Sequence, residues 1–98
     1  MTDEELHSSW PDLGAVVAEL RRIDAPLADR LVNAVQYSST SGEIYSGVGN
    51  ALYENRRLRQ QLSAEGTRAW QRVMADVGRA FGRPPFLEWV VSLLKRKT

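Results

Sequence analysis

Apolar residues along this chain recur at the i, i+3, i+4, i+7 spacing of a helix face, and no useful length of it alternates as a half-buried strand would. The pattern predicts an all-α protein. The first helix is expected to open at Ser9 as N-cap, with Pro11 in its first turn and Asp12 near the positive end of the dipole. Its apolar stripe is Leu13, Val16, Val17, Leu20 and Ile23. Asp24, followed by Pro26, caps a second helix whose Leu27, Ala28, Leu31, Val32 and Val35 again share one face. The two form an αα-hairpin.

Residues 37–42 read as a polar connection, and Thr40 with Glu43 three residues later fits a capping box, in which each side chain satisfies a backbone donor that the helix cannot. A third helix starts there, with Ile44, Val48, Ala51, Leu52, Leu58 and Leu62 on one stripe, and is expected to be the longest. Ser63 caps a fourth, carrying Trp70, Val73, Met74, Val77 and Phe81 and stopped by Gly82, Pro84 and Pro85. A last helix runs over about residues 85–95. The expected architecture is a compact bundle of four to five helices with short connections and antiparallel sequential neighbours. Its core contains Leu13, Val17, Leu20, Leu31, Ile44, Val48, Leu52, Trp70, Val73, Val77, Phe81, Phe86 and Val90.

Composition adds bounds. With 98 residues, 43% of them apolar and 26% charged, the chain has room for a single helical domain over 1–98, with residues 1–8 and 96–98 expected to fray. Surface scaling leaves about 64% of the unfolded chain's surface buried, enough for one modest core. No cysteine is present, which excludes a disulfide scaffold, a thiolate nucleophile and cysteine-based metal sites. The one histidine, His7, gives a histidine site little support, so neither metal nor cofactor is expected. The acidic N-terminus lacks the basic and apolar regions of a secretory signal, which makes the cytoplasm the expected location. The most apolar stretch, residues 84–94, is interrupted by Glu88 and Ser92 and falls short of the roughly 20 residues a spanning helix needs, so no transmembrane insertion is expected.

Charge changes the picture more. Residues 1–55 carry nine acids and three bases, whereas residues 56–98 carry three acids and ten bases, so a net charge of +1 conceals a strong asymmetry. On one reading the two halves neutralise each other across the fold and the basic helix ends complement the macrodipole. On the other, the basic half meets an acidic partner, and a nucleic acid is one such partner. The segment from Leu58 through the turn at Ser63 to Thr67, Arg68, Gln71 and Arg72 has the order of a helix-turn-helix, which would place those four side chains toward a major groove. A pI near 8.2 and the lack of a reader motif count against it. Eleven arginines against two lysines suit bidentate anion pairing, and a GC-rich genome produces the same bias.

The last helix carries Phe86, Leu87, Trp89, Val90, Val91, Leu93 and Leu94, more apolar surface than a core stripe of about 100° requires. Either this domain buries it, or Trp89 with Leu87 and Val91 anchors an interface, a dimer seam being the simplest version. Gly42, Gly47 and Gly49 beside the hydroxyl-rich run match neither a P-loop nor a dinucleotide fingerprint, and close helix packing is the expected reason for Gly47 and Gly49. Glu43, Tyr45, Tyr53 and Glu54 are the candidates for catalysis, but they form no nucleophile–base pair, and no enzyme is expected. The sequence therefore points to a protein-interaction module that uses Leu87, Trp89 and Val91 together with Arg56, Arg57, Arg68 and Arg72. A protein partner or a second copy fits it, and nucleic-acid binding by the pair around residues 56–79 is the alternative.

Overall fold

The computed structural model describes residues 1–81, and among them every regular element is a helix. Five α-helices follow in order: α1 (Asp3–Ser9), α2 (Pro11–Ile23), α3 (Ala25–Gln36), α4 (Ser41–Glu54) and α5 (Ala64–Phe81), with a 3₁₀ segment (Arg56–Gln61) between the last two. The all-α bundle read from the spacing is the fold observed. The expected last helix, with Phe86 and Val90 of the predicted core, and the frayed residues 96–98 lie outside the described residues.

The centre of the bundle is α2, which packs on α1, α3 and α5. Its Leu13, Val16, Val17 and Leu20 are fully buried, as the apolar stripe predicts, while Ile23 is half-buried. From α3 the core takes Leu27, Ala28, Leu31 and Val32, from α4 Val48, Ala51 and Leu52, and from α5 Ala69, Trp70, Val73 and Val77. Ile44, placed in the core by the sequence, is half-buried against it. On α4, a Cβ added at Gly47 would lie 3.0 Å from the Ala34 Cβ of α3, so the missing side chain is what lets these two helices come together.

Several ends are local chemistry that the sequence states directly. The Asp24 carboxylate accepts from the Leu27 amide at 3.1 Å and opens α3. Ser63 opens α5, its Oγ accepting from the Gly66 amide at 3.0 Å. Thr40 opens α4 by accepting from the Glu43 amide, but Glu43 reaches back to the Ser39 amide instead of closing the expected box on Thr40.

Three features differ from the sequence pattern. Residues 3–9, which overlap the stretch expected to fray, form a helix: Thr2 and Glu5 make a complete capping box, and Leu6 inserts into the core with no exposed surface. A helix this short does not persist alone in water, so α1 depends on that docking. It also depends on Gly14 of α2, where a Cβ would meet the His7 backbone at 2.5 Å. Next, Ser9 does not cap α2. The residue before a proline is driven to extended conformation, so the break falls at Trp10 (φ −143°, ψ 82°) and Ser9 stays in α1, its Oγ donating to the Glu5 carbonyl. Finally, α4 stops at Glu54 instead of running to Leu62. The stripe needs an apolar side chain near position 55 and finds Asn55, whose amide group donates to the Ala51 carbonyl at 2.8 Å while the backbone tightens into 3₁₀ turns. The pair around residues 56–79 is therefore a 3₁₀ segment leading into one α-helix, not two α-helices.

Two predictions test α1. Leu6→Ala should cost about 2–5 kcal/mol in urea unfolding and speed amide exchange across residues 3–9 first, whereas a loss under about 1 kcal/mol would mean a frayed terminus. The second concerns acid. Hydrogen bonds from the Arg21 guanidinium hold Asp3 below the usual carboxylate range, the Thr2 amide does so for Glu5, and Arg30 does so for Glu54. Because these groups stay ionised longer in the folded chain, the unfolded chain takes up protons first as pH falls. Their contribution is complete above the ordinary carboxylate value of about 4 and vanishes as pH drops through the lowered values. A thermal scan from pH 7 to 2.5 should show melting temperature falling only below about pH 4.5, less steeply in Asp3→Asn.

Candidate functional site

The destination of each carboxylate decides what the charge asymmetry means. Four acids of the first half bond to main-chain amides: Asp24 to Leu27, Glu5 to Thr2, Glu43 to Ser39 and Glu19 to Ser63, the last at 2.8 Å. Helix starts leave N–H groups without partners, and a carboxylate satisfies them while sitting at the favourable end of the dipole. Asp3 grips Arg21 in a two-point pair at 2.8 and 2.9 Å, and Asp29 holds the same guanidinium. Arg21 is correspondingly pushed further toward its charged form. Glu54 on α4 pairs with Arg30 on α3 at 2.6 Å. Among the described residues, only one ion pair joins an acid of the first half to a base of the second, Asp12 with Arg72 at 2.8 Å. Neutralisation across the fold is thus confined, among the described residues, to that pair.

The exposed arginines before and at the start of α5 are placed differently. Arg56, Arg57 and Arg59 are exposed on the 3₁₀ segment, and Arg68 is exposed on the first turns of α5. A 3₁₀ helix has three residues per turn, so side chains three apart eclipse. Half-buried Leu58 marks the inward row, which leaves the row of Arg56 and Arg59 and the row of Arg57 and Gln60 on the outside. Arg56 lies over the Tyr53 ring, 4.9 Å from its centroid, and donates to the Tyr53 carbonyl at 3.0 Å, which fixes its guanidinium. The Thr67 hydroxyl donates to the Arg59 carbonyl at 3.4 Å, tying the 3₁₀ segment to the turn of α5 that carries Arg68. Arg57, Arg59 and Arg68 have no carboxylate partner among the described residues. These arginines line an elbow where the chain turns from the 3₁₀ segment into α5.

Of the residues singled out from sequence, Arg56, Arg57 and Arg68 come together at this elbow, while Arg72 is engaged by Asp12. Gln71 and Arg72 are exposed beside Arg68 on α5, and Thr67 is half-buried. Leu87, Trp89 and Val91 lie outside the described residues. Sequence reading missed Arg59 as a site residue, though it belongs to the same basic run, and missed Glu19 altogether, since its partner is 44 positions away. The residues considered for catalysis are engaged elsewhere. Glu43 caps, Glu54 pairs with Arg30, Tyr45 meets Trp10 edge to face at 5.4 Å between centroids, and Tyr53 underlies Arg56. At the corner of α2, α4 and α5, the Trp10 indole also donates to Asp76 at 3.3 Å.

Among the described residues no group of three or more histidines, cysteines or acids is placed to hold a metal ion, and no helix is long and apolar enough to cross a membrane. No protein-family model matches the chain, and neither a curated protein nor a solved structure matches it.

Proposed function

We propose that this protein is a non-catalytic interaction module that recognises an acidic protein surface through the arginine elbow. One observation carries the reading: seven of the nine acids of the first half are taken up by main-chain amides or by arginines of their own half and Asp12 by Arg72, and among the described residues Arg57, Arg59 and Arg68 have no carboxylate partner. A guanidinium grips a carboxylate through two parallel hydrogen bonds, and a cationic patch of this kind raises the association rate with an acidic partner. Of the large apolar side chains among the described residues, only Met1 and Tyr37 are exposed, so recognition by this surface is polar. The apolar segment with Leu87, Trp89 and Val91 serves as a second contact, for a partner or a second copy, on the strength of its sequence alone. A cytoplasmic setting, where a cysteine-free chain loses nothing to reduction, completes the proposal.

A nucleic acid is the competing partner. Against it stands the small number of cations at the elbow, since binding driven by phosphates rests on many such contacts. The test is titration of the protein with poly-L-glutamate and, separately, with a short DNA duplex over a range of salt. Replacing Arg57, Arg59 and Arg68 together by alanine should weaken poly-L-glutamate binding about tenfold while leaving the helical circular dichroism intact, since exposed pairs contribute roughly 0.2–1 kcal/mol each. Equal binding by the triple variant would contradict the reading. Tighter binding to the duplex, with a steep log–log dependence on salt, would move the function to nucleic acid.

A further inference from the structure

The bend that presents the arginines is held from outside. Glu19 extends from α2, and its carboxylate accepts twice from Ser63, from the amide at 2.8 Å through Oε1 and from the hydroxyl at 2.7 Å through Oε2. The same Ser63 Oγ accepts from the Gly66 amide at 3.0 Å, and the Ser63 carbonyl receives the Thr67 amide at 2.9 Å. One acid on the central helix thus fixes the residue at which the 3₁₀ segment becomes α5. Gly66 makes room for it, since a Cβ there would stand 2.3 Å from Glu19 Oε2 and 2.6 Å from its carboxyl carbon. No positive φ requires glycine at this position, so close approach of the carboxylate is the reason for it.

We propose that Glu19, Ser63 and Gly66 form a clasp that positions the arginine elbow, with Glu19 as the positioning residue for recognition of an acidic polypeptide. This rests on the function proposed above. Four residues before the clasp, the Arg59 carbonyl receives both the Thr67 hydroxyl and the Leu62 amide, so the direction in which Arg57 and Arg59 leave the 3₁₀ segment relative to Arg68 depends on where Ser63 is held. Side chains already held in a bound-like arrangement lose less freedom on binding.

Charge and positioning predict opposite signs, which makes the clasp testable. Glu19 is an acid on the same face as a cationic site, so if it acted only as a charge, Glu19→Ala would strengthen binding to poly-L-glutamate. If it positions the arginines, Glu19→Ala weakens binding. Gly66→Ala separates the two further, because it keeps the carboxylate, pushes it off Ser63, and puts a better helix former into the first turn of α5. The expected result is an affinity about fivefold lower in Gly66→Ala with melting temperature unchanged or raised, accompanied by faster amide exchange at Leu58, Leu62 and Ser63 but not in α3. An unchanged affinity in Gly66→Ala overturns the proposal, whatever Glu19→Ala does. If the wild-type protein fails to bind poly-L-glutamate, the proposed function falls, and exchange decides the clasp alone: faster exchange at those three amides upholds it as the device that orders the elbow, and unchanged exchange overturns it.

Discussion

Each helix begins with amide groups that its own backbone carbonyls cannot satisfy, and in a chain that starts five α-helices within 81 residues this demand recurs at very short intervals. Single residues, Trp10 and Asp24, separate α1 from α2 and α2 from α3. With so little connecting chain, the donors are met by side chains, three hydroxyls (Thr2, Thr40 and Ser63) and four carboxylates. The carboxylates are those of Asp24, Glu5, Glu43 and Glu19. Part of the acidic excess of the first half is therefore taken up by the backbone, and among the described residues Arg57, Arg59 and Arg68 of the second half are left exposed without a carboxylate partner.

The central helix organises both. One face of α2 supplies Leu13, Val16, Val17 and Leu20 to the core, and three of its polar residues reach neighbouring elements. Asp12 takes Arg72 of α5, Glu19 takes Ser63 at the start of α5, and Arg21 bridges Asp3 of α1 and Asp29 of α3. Exposed pairs of this kind add little stability individually. Their effect is to fix angles: apolar burial holds α2 inside the bundle, and the polar contacts set how α1, α3 and α5 lie around it. The elbow is placed by the same helix that forms the core, which links packing to the surface offered to a partner.

How far the sequence revealed this depended on the range of each interaction. The stripes of α2, α3 and α5 were legible because helical periodicity is repeated in each, and the caps at Asp24, Thr40 and Ser63 because donor and acceptor lie three residues apart. α1 escaped the periodicity argument because Leu6 is its only buried residue, although Thr2 and Glu5 carry the same capping signature that was read at Thr40 and Glu43. The end of α4 turned on one side chain, Asn55, competing for the Ala51 carbonyl where the stripe had a gap. At the site, the run of arginines was plain, and its uncompensated charge was not. That depended on where distant carboxylates went, and neither the reach of Glu19 to Ser63 nor that of Asp12 to Arg72 follows from local pattern.

The central claim is that, among the described residues of the basic half, Arg57, Arg59 and Arg68 at the elbow carry charge with no carboxylate partner, while Arg72 and Arg79 are paired. Mapping backbone amide and arginine Nε shifts by nuclear magnetic resonance while titrating poly-L-glutamate tests it residue by residue. The account predicts that the largest changes fall on Arg56, Arg57, Arg59 and Arg68, with Arg21 and Arg30, already held by Asp3, Asp29 and Glu54, little affected. Changes spread evenly over all arginines, or centred on α1 to α3, would contradict it.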